Sequence, residues 1–302
     1  MKQLLNMRGI ITVLNTPFLD DDTLDCEGLR SNVHYAIDAG VGGFLVPAMA
    51  SEVGKLTRAE RLSLVETVID AAAGRVPVIG GASAPTQSER LDAARAMIQL
   101  GCSGVLASIP FESKEAYRRD VESLAGLQPG FLMIQDWDFT GDGLPMDVIV
   151  QLFEEIPAFR CLKIETAQAG AKYTRVLEAT GGKLHVSGGW AVTQMIEGLD
   201  RGIHAFMPTG LHRSYAYIYA AYAAGKRDEA VTHFHRLAPI LAFSNQHLDL
   251  SIHFFKKLLH AQGHYTTARV REPILPLDRY QARYADELIQ LAVDIESRHY
   301  ST

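Results

Sequence analysis

Ala39-Gly-Val-Gly-Gly-Phe-Leu-Val-Pro47 reads as the end of a helix, a tight turn and the start of a strand. A glycine just past the last helical turn stops a helix, because it enters left-handed backbone without a Cβ clash. The apolar run that follows has no polar alternation, as in a parallel strand covered on both faces. The same unit recurs at Leu100-Gly-Cys-Ser-Gly-Val-Leu-Ala-Ser108. Outward from these two, similar runs stand at 9–14, 76–80, 131–135, 160–164, 183–187 and 203–207, which with 42–47 and 104–108 makes eight. Helical patterns lie between them. Residues 60–73 place Leu62, Leu64, Val65, Val68 and Ile69 on one side and end in Gly74; residues 88–100 carry Leu91, Ala94, Met97 and Ile98 and end in Gly101. Eight βα units in one series predict a closed (β/α)8 TIM barrel, with an open doubly wound sheet as the alternative. From Tyr215 onward no strand is predicted, and 226–243, 248–262 and 278–297 read as helices. The expected organisation is a barrel over 1–225 with a helical extension, 226–302, packed on it.

The chain has 302 residues, 47% of them hydrophobic and 21% charged, which is enough for a large core and excludes a disordered chain. Lys+Arg of 29 against Asp+Glu of 35 gives a net charge of −6, which argues against nucleic acid and against an anionic membrane surface as partners. No apolar run approaches a membrane span. Residues 1–10 lack the apolar stretch of a signal peptide, so a cytoplasmic protein is expected. Cys26, Cys102 and Cys161 are scattered and odd in number, so neither a disulfide framework nor a CxxC site follows.

Barrel chemistry sits at the C-terminal ends of the strands. Lys163 stands out there, inside the apolar strand Cys161-Leu-Lys-Ile-Glu165. A lysine facing a barrel interior is costly unless paired or neutral, and desolvation favours the neutral amine that attacks a carbonyl. It also reads as a strand-end lysine that snorkels to solvent or pairs with Glu165. Strand alternation puts Glu165 on the same face, as a proton shuttle or as a plain ion-pair partner. Of Gln135 and Asp136 at the end of the fifth strand, one must point inward. Gly188-Gly189 follows the seventh strand without any phosphate-loop pattern, so a turn is expected. The histidines show no HExxH or grouped carboxylates, so no metal site is expected. Tyr215, Tyr217, Tyr219 and Tyr222 span two helical turns and read as packing or a subunit interface.

Gly9-Ile-Ile-Thr-Val-Leu-Asn-Thr-Pro-Phe18, Ala39-Gly-Val-Gly-Gly-Phe44, Gly74-Arg-Val-Pro-Val-Ile79 and Leu162-Lys-Ile164 together resemble the dihydrodipicolinate synthase / N-acetylneuraminate lyase family. The likeness runs on to Lys256-Lys-Leu-Leu259 in the tail. The resemblance implies a lyase that acts on 2-oxo acids through a lysine Schiff base at Lys163, without metal or organic cofactor, as a homo-oligomer of two or four chains. The chain also departs from the family. The usual Gly-Thr-Thr-Gly-Glu loop is Ala48-Met-Ala-Ser-Glu52 here, so the two threonine positions are Met49 and Ala50. The family's tyrosine on strand five aligns with Gln135, and the aromatic that completes its relay aligns near Phe111 or Glu112. Ile134-Gln-Asp136, Leu162-Lys-Ile-Glu-Thr166 and Ala268-Arg-Val-Arg-Glu-Pro273 resemble the 2-keto-3-deoxy-L-arabonate dehydratase branch.

The resulting expectation is dehydration of a 2-keto-3-deoxy sugar acid, with Lys163, Glu165 and Gln135 as the catalytic set. Thr16, Met49, Ala50, Ser51, Asp136, Gly188, Trp190 and Met207 are the expected substrate contacts. Retro-aldol cleavage that releases pyruvate, dihydrodipicolinate-synthase-like condensation, imino-acid deamination and a non-catalytic carboxylate-binding protein stand as alternatives.

Overall fold

Gly40 and Gly101, which close the helices of the two deciding stretches, sit at φ +93° and +90°, the left-handed backbone that favours glycine. After each, the chain turns directly into a strand. The computed structural model describes residues 7–297. Its strands are β1 Gly9–Val13, β2 Gly43–Val46, β3 Val78–Gly81, β4 Gly104–Ser108, β5 Leu132–Asp138, β6 Phe159–Thr166, β7 His185–Gly189 and β8 Ala205–Met207. Neighbours in the sheet pair in parallel, and β8 pairs back onto β1 through Gly9↔Ala205 and Ile10↔Phe206, which closes the barrel and excludes the open sheet. Part of residues 1–10, read above for a signal peptide, lies outside the described residues, as does the end of the extension.

Strand alternation divides the core into two shells. Ile11, Val13, Leu45, Ile79, Leu106, Met133, Cys161 and Met207 fill the barrel, and Met7 closes its floor. Ile10, Phe44, Val46, Ile134, Leu162, Ile164 and Phe206 face outward against the helices. Each such side chain stabilises the fold by roughly 1.5–3 kcal/mol. Capping boxes start Arg58–Ala72 (Thr57 with Glu60) and Gln87–Gln99 (Thr86 with Glu89), satisfying the first orphan amides of each helix.

Beyond β8 the helix His212–Ala223 buries Tyr215 fully and lays the Tyr219 ring against Gly9, so these members of the tyrosine cluster are packing residues. The helices Arg227–Ser244, Leu248–Ala261 and Arg279–Glu296 follow, within two residues of the bounds read from sequence. Leu248–Ala261 reaches over the barrel mouth. Its Lys256 is buried against Glu52, and Phe18 is flanked by Lys256 and Arg271, each 4.2 Å from the ring centroid. Among the described residues no helix is long and apolar enough to cross a membrane.

Candidate active site

Gln135, Lys163 and Ser187 stand level on β5, β6 and β7, because the parallel register pairs Gln135↔Lys163 and Lys163↔Ser187. All three face the barrel axis. Lys163 and Glu165 are buried, with side-chain exposures of 7% and 8%, and Nζ lies 3.3 Å from Glu165 Oε1. Gln135 Nε2 donates to the other oxygen, Oε2, at 2.5 Å. The carboxylate is thus shared between an amine and an amide. That arrangement offsets the desolvation cost of a buried charge and fixes the carboxylate's position.

Gly189 makes room for this pair. A Cβ there would lie 2.3 Å from Lys163 Cε and 2.3 Å from Glu165 Oε1, so the two side chains cross the space that a larger residue on β7 would fill.

A turn after β2 forms the opposite wall. Ser51 Oγ donates to the Leu14 carbonyl at 2.6 Å and accepts from the Ala48 amide at 2.9 Å. Thr16 Oγ1 donates to the Ser51 carbonyl at 2.6 Å, and Asn15 Nδ2 to that of Ala50 at 3.1 Å. Glu52 ends the turn at φ +55°. Its carboxylate accepts from Lys55 at 3.0 Å, from the Arg271 amide at 3.1 Å and from Lys256. Burial pushes the Lys256 ammonium down to about 8 against the pull of Glu52. Among the described residues the Met49 and Ala50 amides have no partner. They are the first two N–H groups of the Met49–Ser51 3-10 turn, an arrangement suited to a carboxylate.

Asp136 points the other way. Its carboxylate pairs with the fully buried Lys172 at 2.5 Å and accepts from the Leu144 amide at 2.8 Å. Burial pushes this carboxyl up and Lys172 holds it down, with burial the larger effect. Lys172 also donates to the Leu144 carbonyl at 2.8 Å and to that of Asp142, pinning the loop after β5. The loop carries Phe139, 53% exposed, edge-on to Trp137 at 5.8 Å and to Trp190 at 6.4 Å between centroids. The mouth has two lobes, of about 530 and 700 Å³, that share Ala48, Met49, Gln135, Trp137 and Lys163. An inward amine with an adjacent carboxylate, free amides opposite and a cavity on each side can form an imine with a 2-oxo acid and move a proton beside it.

The family model described as "Dihydrodipicolinate synthetase family" matches residues 6–292. The chain belongs to this family. It is therefore a lyase, and its family works without a metal or organic cofactor, so none is assigned here. An L-2-keto-3-deoxyarabonate dehydratase from Azospirillum brasilense is 28% identical over 283 residues, covering 88% of either chain. A 4-hydroxy-tetrahydrodipicolinate synthase from Methanosphaerula palustris is 26% identical over 296 residues, covering 93% of this chain and 98% of the other. The crystal structure of dihydrodipicolinate synthase from Rhodopseudomonas palustris superposes with a TM-score of 0.85 at 22% identity, covering 94% of this chain and 97% of that one.

The site residues expected from the sequence do not all fall in one place. Lys163, Glu165, Gln135, Met49, Ala50, Trp190 and Met207 line the cavity. Thr16, Ser51 and Gly188 were expected as substrate contacts and are placed otherwise. The Thr16 and Ser51 hydroxyls are spent on backbone carbonyls that shape the turn. Gly188 pairs with Ile164 and Phe206 in the outward phase of β7, so Gly189 takes the facing position. Asp136 borders the second lobe, but its carboxylate belongs to Lys172. Sequence reasoning missed Trp137, Phe139, Gly189 and the tail residues Asn245, His247, Asp249 and Phe255, which complete the first lobe. The alternation Gln135-Asp-Trp-Asp138 carried the signal for Trp137; nothing local marked the tail residues.

Proposed function

We propose that Lys163 forms an imine with the C2 carbonyl of a 2-oxo acid, and that the acid is a 2-keto-3-deoxy sugar acid such as 2-keto-3-deoxy-L-arabonate, which loses water. The observation that carries the reading is the buried Lys163–Glu165 pair at the barrel mouth. Lys163 passes a proton to Glu165 and the neutral amine attacks C2; the carbonyl oxygen leaves as water with one hydrogen from the amine and one proton returned by Glu165, and an iminium remains. Its nitrogen draws electrons from C2 and acidifies the C3–H bond. Glu165 takes that proton, and the C–H electron pair becomes the C2–C3 bond of an enamine. The enamine expels the C4 hydroxyl, which leaves as water with the proton returned by Glu165. Hydrolysis then frees Lys163.

Gln135 holds Glu165 in this reading, where the family has a tyrosine. The Met49 and Ala50 amides take the C1 carboxylate, and Trp190 and Met207 border the chain. The expected split into a 1–225 barrel and a 226–302 extension, the homo-oligomer and the cytoplasmic setting belong to the same proposal, on the strength of the family. A second reading draws on the two-lobed mouth: a proton taken from the C4 hydroxyl breaks the C3–C4 bond, and the lobe beyond Trp137 has room for the departing aldehyde.

Borohydride trapping tests the imine. Incubation with pyruvate and borohydride should leave a mass adduct on Lys163, and Lys163→Arg should abolish it, because a guanidinium stays charged. Trapping that persists in Lys163→Arg overturns the assignment. Pyruvate among the products of a 2-keto-3-deoxy acid assigns carbon–carbon cleavage; its absence alongside a dehydrated product assigns dehydration.

A further inference from the structure

We infer that the site selects a 2-oxo acid carrying a single negative charge, its C1 carboxylate, and that the rest of the substrate chain is uncharged. The inference rests on the imine reading above and narrows it to a substrate class.

The two lobes bring one cation to the substrate. Among the described residues that line them, Lys163 is the only lysine or arginine, set against the carboxylates of Glu165, Asp249 and Asp138. The cations of the surrounding elements are committed elsewhere. Lys55 and Lys256 hold Glu52, Lys172 holds Asp136, and Arg271 holds Glu60. His247 is occupied as well, since its Nδ1 accepts from the Asp249 amide and caps the helix Leu248–Ala261. Asp138 stays anionic, since the amides of Thr140, Gly141 and Gly143 point at it and hold its carboxyl down.

A 2-oxo acid uses up the favourable groups at its first two carbons. The C1 carboxylate meets the free amides of Met49 and Ala50, and C2 becomes the iminium on Lys163. A second carboxylate or a phosphate further along meets Trp137, Phe139 and Trp190 on one side and Asp249 or Asp138 on the others. It would lose hydration with no counter-charge in return. An uncharged tail meets neither penalty, and its C–H groups cover the aromatic rim.

The experiment is borohydride trapping on the wild-type chain with acids of equal length, read as the concentration that gives half-maximal adduct on Lys163. 2-Oxopentanoate and 2-oxoglutarate differ only in a methyl or a carboxylate at C5. 2-Oxopentanoate should need at least ~10-fold less, the discrimination expected when a charge enters an unpaired apolar wall. 5-Hydroxy-2-oxopentanoate should fall with the neutral acid, since the selection is against charge and not polarity. If 2-oxoglutarate traps at an equal or lower concentration, or if neither five-carbon acid traps while pyruvate does, the inference is overturned and the imine reading stands. If pyruvate itself leaves nothing on Lys163, the imine reading falls and takes this inference with it.

Discussion

Gly189→Ala separates the catalytic geometry from the stability of the barrel. The added Cβ would stand 2.3 Å from both Lys163 Cε and Glu165 Oε1, whereas ordinary contact begins at 3.4 Å, so each group has to retreat by about 1 Å. Both are the far ends of flexible side chains and can do so at little cost to the fold. Gly189 has no left-handed φ to lose. Replacing glycine at such a position also gains about 0.4–1 kcal/mol through the unfolded chain. The expected stability change is therefore within about 1 kcal/mol, or a melting shift of no more than about 4 °C. The chemistry fares differently. A misplacement of about 1 Å costs on the order of 10²-fold in rate, about 2.7 kcal/mol of barrel-mouth transition-state stabilisation. The assay is the rate of borohydride trapping of pyruvate together with a thermal melt. A variant that traps at the wild-type rate with an unchanged melt would refute the reasoning, because the Lys163–Glu165 pair would then not need the space that Gly189 leaves.

Glu165→Gln should keep trapping but slow turnover by ~10²-fold or more if this carboxylate moves the proton; equal loss of both steps would mean that it only sets the state of Lys163. Lys172→Met leaves Asp136 buried without its cation and should cost about 3–5 kcal/mol in a denaturant titration, with much of that recovered in the double variant Asp136→Leu/Lys172→Met. Burial pushes the fully enclosed His185 and His212 rings down to about 3, so between that value and 6.5 the unfolded chain binds more protons than the folded one. Stability is therefore lost as the pH falls below 6.5, by about 2 kcal/mol for each ring at pH 5. His212→Asn should flatten its part of the slope in a series of melts across that range.

The barrel was legible because several of its units end in a left-handed glycine, as at Gly40, Gly74, Gly101 and Gly202, and start again in a run with no polar face. Lys163 was legible for the complementary reason: a charge inside such a run has to be justified. The fifth strand reads as ending at Gln135, where the apolar run stops, yet it continues to Asp138. Its last residues rise above the barrel, and their polarity reports loop contacts and not the end of pairing. Asp136 shows where reading by residue type fails. Its alternation was right, but its partner Lys172 is 36 residues away on the helix Ala169–Ala179, and no local pattern points to it. Ser51 and Thr16 were chosen for their hydroxyls, and those hydroxyls serve the turn's own backbone. The tail's share of the cavity was invisible, because Asn245, His247 and Asp249 resemble the polar start of any helix.

That share of the cavity bears on when a newly made chain becomes competent. Synthesis runs from the N-terminus. Lys163 and Glu165 therefore leave the ribosome well before Asn245 and Phe255, which wall the first lobe, and before Lys256, which anchors the turn at Glu52. Until that helix docks, the first lobe lacks the wall that Asn245 and Phe255 supply, and Glu52 lacks its buried cation. One wall of the site is thus drawn from the last part of the chain to be made, and losing Leu248–Ala261 would open the first lobe on that side.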